Sequence, residues 1–163
     1  MDWLGYHLHG FGFGKAGHEI YIALPNPDMD DWGVPKRDES KEVIGDYFGK
    51  IANQCVYTYD YGDSWDHTVL LERVLPKSPK TNYPQCIAGK NACPPEDCGG
   101  IPGYEDLKEI LNNPKHPEHK EMLEWLYIDS ATEFDPTEFD PEQVEFTDPI
   151  AELKCWRKEI KQR

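Results

Sequence analysis

Between Pro76 and Gly103 the chain carries six prolines and four glycines, and its apolar residues keep neither a two-residue nor a 3.6-residue period. Proline fixes φ and lacks a backbone donor, and glycine weakens helix and strand alike, so this stretch supplies neither. Irregular segments of such length are uncommon inside compact domains and tend to be functional or disordered. Three cysteines within it, Cys86, Cys93 and Cys98, argue against plain disorder. The segment therefore splits the chain into two blocks, and each must build its own regular structure.

The first block reads as strands. Alternation from Tyr6 to Phe13 places His7, His9, Phe11 and Phe13 on one face. Lys15-Ala16-Gly17 is turn-like, and His18 to Leu24 follows as a second strand, which predicts a hairpin. Pro25 to Ser40 is an acidic loop. Its Asp28, Asp30 and Asp31 lack the glycine and the terminal glutamate that an EF-hand loop needs, so it reads as solvated rather than calcium-binding. Ser40 as N-cap, Val43, Ile44, Tyr47 and Phe48 at helical spacing, and Gly49 as C-cap predict a short helix. Gln54 to Tyr61 is a strand with Tyr57, Tyr59 and Tyr61 on one face; Gly62-Asp63-Ser64 turns the chain, and His67 to Leu75 returns.

The second block reads as helices. Tyr104, Leu107, Ile110 and Leu111 mark one that ends near Asn112-Asn113. Pro117 suits the first position of the next, with Met122, Leu123 and Leu126 as its stripe. Asp135-Pro136, Asp140-Pro141 and Asp148-Pro149 are helix-start signals. The last of them leads a stripe of Ile150, Leu153, Trp156 and Ile160 and a basic end at Arg157, Lys158, Lys161 and Arg163. Hairpins first and helices later give an α+β fold: an antiparallel sheet, a proline/glycine-rich loop and C-terminal helices. At 163 residues the expectation is a single domain over 1–163.

Seventeen Lys and Arg face 31 Asp and Glu, a formal charge of −14. Nucleic-acid binding over a broad face needs clustered basic residues, so it is excluded as the expected role, and a basic protein partner suits the surface instead. No apolar run reaches the roughly 20 residues of a membrane span, and the start, Met1-Asp2-Trp3, has no signal-like pattern. Five cysteines do not form an even disulfide framework, so a reducing cytoplasm is expected. Apolar residues make up 38% of the chain and aromatics 12%, which predicts a core built from rings.

Four strings are specific. They are His7-Leu8-His9-x-Phe11; Tyr57-x-Tyr59-Asp60-Tyr61-Gly62-Asp63-x-Trp65-x-His67; Cys86-x-x-Gly89-x-x-Ala92-Cys93-Pro94-Pro95-Glu96-Asp97-x-Gly99-Gly100-x-x-Gly103-Tyr104; and Pro114-x-His116-x-Glu118-His119. Together they resemble the Ri-plasmid ORF-three-like family, whose members carry the label "resolvase-like". The resemblance runs from about Trp3 to about Phe139. It implies a further N-terminal segment ahead of Trp3, and a sheet edge left uncovered without it would favour self-association. It implies no established activity. The resolvase label finds no support in the chain, which shows no helix-turn-helix signal, no basic arm and no serine nucleophile among Ser40, Ser64, Ser78 and Ser130.

Several groups are chemical candidates. Cys86, Cys93 and Cys98, spaced C-x6-C-x4-C, with His116 and His119 at i, i+3, are a candidate zinc set, although zinc knuckles favour tighter cysteine spacing. The bland alternative is buried thiols and a helix-terminal histidine. His7-x-His9 offers two imidazoles on one strand face, a geometry that any strand provides. Asp60, Asp63, Trp65 and His67 surround a turn, where an Asp can orient a His base or simply bond turn amides. Glu96 and Asp97 stand between two prolines and two glycines, as metal ligands and proton carriers or as anchors for a stiff loop. Two readings follow. One is a binding or interaction module of the mobile-element repertoire. The other is a small metal-assisted hydrolase using His67, Asp63, Glu96 and Asp97 with the His116/His119 pair.

Overall fold

The computed structural model describes residues 3–17, 19–25 and 36–160. Five strands form in the first block: β1 (His9–Phe13), β2 (Ile20–Ala23), β3 (Lys36–Asp38), β4 (Gln54–Tyr59) and β5 (Trp65–Leu70). They make one sheet in the order β3-β2-β1-β4-β5. Both expected hairpins are present and antiparallel, with Phe11 opposite Ile22 and Tyr57 opposite His67. β1 also pairs antiparallel with β4, so the two hairpins join through their long strands. β3 runs parallel to β2, which makes the sheet mixed. It lies within the stretch read as loop; three residues of Lys-Arg-Asp carry no strand propensity, and their pairing with Tyr21, Ile22 and Ala23 makes them a strand. The candidate calcium aspartates Asp28, Asp30 and Asp31 lie outside the described residues.

Helices follow the irregular segment: α1 (Gly100–Asn112), α2 (His119–Leu126) and α3 (Pro149–Ile160). The fold is α+β. α1 buries Leu107, Ile110 and Leu111, the stripe read from its spacing, and ends at Asn113. α3 starts where Asp148 accepts hydrogen bonds from the Ile150 and Ala151 amides. Ile150 and Leu153 are exposed, and the Trp156 and Ile160 side chains lie outside the described residues.

Three helix expectations shrink. Val43 to Phe48 gives only a 3-10 turn at Ile44–Asp46, because Gly45 and two β-branched neighbours tax a helix too short to repay nucleation. Asp140 does cap the Glu142 amide, yet Pro141–Gln143 is again one 3-10 turn. Around Asp135-Pro136 the chain makes a turn without a helix.

Rings dominate the packing, as expected. Phe13 is completely buried and stacks against Tyr47 and edge-on to Phe48, with Ile22 and Cys55 closing the cluster. Strand β1 also needs a glycine at position 10. The Tyr21 ring lies across it, and a Cβ there would sit 2.6 Å from the Tyr21 hydroxyl oxygen.

The backbone divides into two compact units, Met1–Val74 with Cys93–Asp135, and Leu75–Ala92 with Pro136–Arg163. All five cysteines are free thiols. Among the described residues no helix is long and apolar enough to cross a membrane.

Candidate functional site

Three segments of the larger unit meet: residues 3–8 ahead of β1, the turn after β4, and the loop 94–99 ahead of α1. Each is held by its own chemistry. Trp3 stacks on Tyr59 with ring centroids 4.8 Å apart and donates its indole N–H to the Pro94 carbonyl at 2.8 Å. Asp60 ends β4 in the left-handed region (φ +54°), which Asp tolerates better than most residues. Its amide donates to the Leu8 carbonyl, and its carboxylate accepts from the Gly62 amide at 2.9 Å. Asp63 accepts from the Gly99 amide at 3.0 Å, tying the turn to the loop. Gly100 (φ +66°) packs so close beneath that a Cβ would lie 2.3 Å from the Asp63 carbonyl oxygen.

His7 sits where these segments converge. Its Nδ1 is 3.6 Å from an Asp60 carboxylate oxygen, and its Nε2 is 3.0 Å from Asp97 and 3.9 Å from Glu96. One imidazole thus faces three carboxylates. Nε2 is shielded from solvent and has no hydrogen-bond partner of acceptable geometry. Among the described residues, ligand atoms of His7, Asp60 and Asp97 come within 4.8 Å of one another. Two tyrosines hold the loop carboxylates. Tyr6 donates to Asp97 at 2.8 Å, and Tyr59 donates to Glu96 at 3.0 Å, where Glu96 also accepts from the Leu4 amide at 2.7 Å. The bond to Asp97 holds the Tyr6 proton on, pushing its pKa up to about 12. Burial, reinforced by the bond to Glu96, also raises that of Tyr59.

The structure distributes the other sequence candidates. His9 turns to a different carboxylate, Glu39, at 3.4 Å. Burial is the main reason the Glu39 carboxyl is raised, offset in part by His9. His67 lies on β5 with Nδ1 3.2 Å from the Tyr57 carbonyl and its ring edge-on to Trp3. The candidate pair Glu96 and Asp97 therefore meets His7 and Asp60, whereas Asp63 and His67 are engaged with the Gly99 amide and the Tyr57 carbonyl. His119 bonds the Ile110 carbonyl through Nδ1 at 2.9 Å, and His116 Nδ1 accepts from the Glu118 amide. Cys86 belongs to the smaller unit; Cys93 and Cys98 belong to the larger. Burial, with Asp63 as the next cause, pushes the Cys98 thiol up to about 11.

Relatives place this chain in a family. Residues 1–143 match the family model described as plasmid pRiA4b ORF-3-like protein. The uncharacterized protein y4hQ of Sinorhizobium fredii (strain NBRC 101917 / NGR234) is 34% identical over 125 residues. The match covers 77% of this chain and 61% of that relative, so the chain spans about three-fifths of its length. The crystal structure of the protein of unknown function MM3350 from Methanosarcina mazei Go1 aligns with a TM-score of 0.73 at 39% identity. That alignment covers 90% of this chain and 77% of the other. With the fold, the four sequence strings and these matches in agreement, the chain belongs to the plasmid pRiA4b ORF-3-like family.

Proposed function

We propose that His7, Asp60 and Asp97 hold one divalent cation, with Glu96 beside it, and that the chain is a small metal-assisted hydrolase. The observation that carries this is the shielded His7 Nε2, aimed at two carboxylates without a hydrogen bond to either. In the tautomer with its proton on Nδ1, toward Asp60, Nε2 offers a lone pair there, and oxyanions facing a lone pair repel it. A buried polar atom left in that state costs free energy. A cation with ligand bonds of about 2 Å, seated among these atoms, turns the repulsion into coordination. One imidazole with carboxylates suits manganese, iron or zinc, and the oxygen-rich set also tolerates magnesium.

The chemistry follows from the neighbours. A cation held by these residues would lower the pKa of a coordinated water toward neutrality. Glu96, 3.9 Å from the imidazole and steadied by Tyr59, is placed to take the proton. Tyr6 keeps its proton and remains a donor beside Asp97.

Elemental analysis and calorimetric titration of the chelator-treated protein with manganese, zinc and magnesium test the reading. About one equivalent should bind, raise the melting temperature, and be lost in H7A and D97N while both variants stay folded. A metal-dependent hydrolysis of chromogenic phosphoester or ester substrates should vanish in the same variants. Zinc that survives H7A and disappears in C98S or H119Q would move the cation to the cysteine-histidine set. Uptake unchanged in all variants, or none at all, would sink the hydrolase. The −14 charge supports a second reading in that event, an interaction module for a basic protein partner.

A further inference from the structure

A cavity of about 200 Å3 lies between α1 and α2 and reaches the loop at Asp97. An engineered cavity of roughly 150 Å3 takes up benzene, so this one has room for an organic group rather than a single water. Leu107 and Ile110, both nearly solvent-inaccessible, come from α1, and Met122 and Trp125 from α2. Asp97 and Asp106 are its two charged lining residues, and no basic side chain lines it. Trp125 is 39% exposed although it borders an apolar space, so the wall is open rather than sealed into the core.

These features narrow the ligand. An anion is repelled by both carboxylates. A purely apolar group uses neither charge, and because Asp97 is already bonded to Tyr6 and His7, Asp106 is the carboxylate offered to a ligand. A cation on an apolar stem satisfies every part: methylenes lie against Leu107, Ile110 and Met122, while the charge meets the Trp125 indole and the Asp106 carboxylate. We propose that this cavity binds the side chain of a lysine, an alkylammonium carried on a basic partner. A guanidinium is planar and broad, and it gains most from bidentate carboxylate pairing, so arginine is the weaker ligand. The proposal does not rest on a cation at His7, because the cavity is bordered by the helices on its other sides.

Calorimetric titration of the whole protein with an acetyl-Gly-Lys-Gly-amide peptide tests it, with norleucine and arginine peptides alongside. The lysine peptide should bind best. W125L keeps the apolar wall and removes the indole, and D106N keeps the shape and removes a charge; each should weaken lysine binding roughly tenfold. H7A should leave it unchanged, which separates this site from the proposed metal centre. Equal binding of the norleucine peptide would show a plain apolar pocket and overturn the assignment. So would lysine binding that W125L and D106N leave intact, since that is diffuse attraction to an acidic surface. No binding of the lysine peptide to the wild-type protein also overturns it.

Discussion

Two tyrosine hydroxyls hold the carboxylates of the loop, and each makes a separate, measurable claim. The Tyr6 proton is retained because losing it would set a phenolate against Asp97. Its pKa of about 12 in the folded state lies above the ordinary 10.0, so its contribution to stability is complete below pH 10 and fades between pH 10 and about 12. Alkaline titration of tyrosinate absorbance should therefore show Y6F losing one late-titrating group; an unchanged late phase would contradict the bond to Asp97. Gly100 makes a steric claim. G100A forces a Cβ against the Asp63 carbonyl oxygen at a left-handed position, which should cost about 1–3 kcal/mol in urea unfolding. Cys98, with its thiol raised to about 11, should be alkylated slowly at neutral pH by iodoacetamide, since the thiolate is the reacting form.

Strand β1 is the element on which the sheet and the site both depend. It pairs with β2 on one edge and β4 on the other, and its Phe13 is the completely buried side chain of the core. F13A should lower stability by about 3–5 kcal/mol in urea unfolding and F13L by clearly less, the difference measuring the cavity left behind. Much of this was legible in the residues. Alternation exposes Phe11 and Phe13 as a face, and Tyr57 and Tyr59 flanked by Thr and Val read as a strand in any context. Leu107, Ile110 and Leu111 declare their helix by spacing alone. Parallel β3 was not legible, because its residues earn their strand only through pairing with β2. The site was legible in part. Glu96, Asp97, Asp60 and His7 each stand out in sequence, but no local rule joins positions 7, 60 and 97. His7 and His9 alternate as strand neighbours should. Yet β1 begins at His9, and His7, two residues before it, turns to the Asp60 corner.

At the scale of the molecule, the two units differ in what they bury. Every buried residue among those described belongs to the larger unit; the described residues of 75–92 and 136–160 are all partly or fully exposed. Hydrogen exchange should follow this division, with the α3 amides losing protection well before those of β1, β4 and α1. Uniform protection across both units would show that they open as one. The separation of positions 7, 60 and 97 also sets an order during synthesis. A ribosome delivers the chain from the N-terminus at about 5–20 residues per second, so all five strands are synthesised before Glu96 and Asp97. His7 and Asp60 are therefore in the chain before either loop carboxylate exists. Under the proposed cation site, a full set of ligands would exist only once Asp97 has been added.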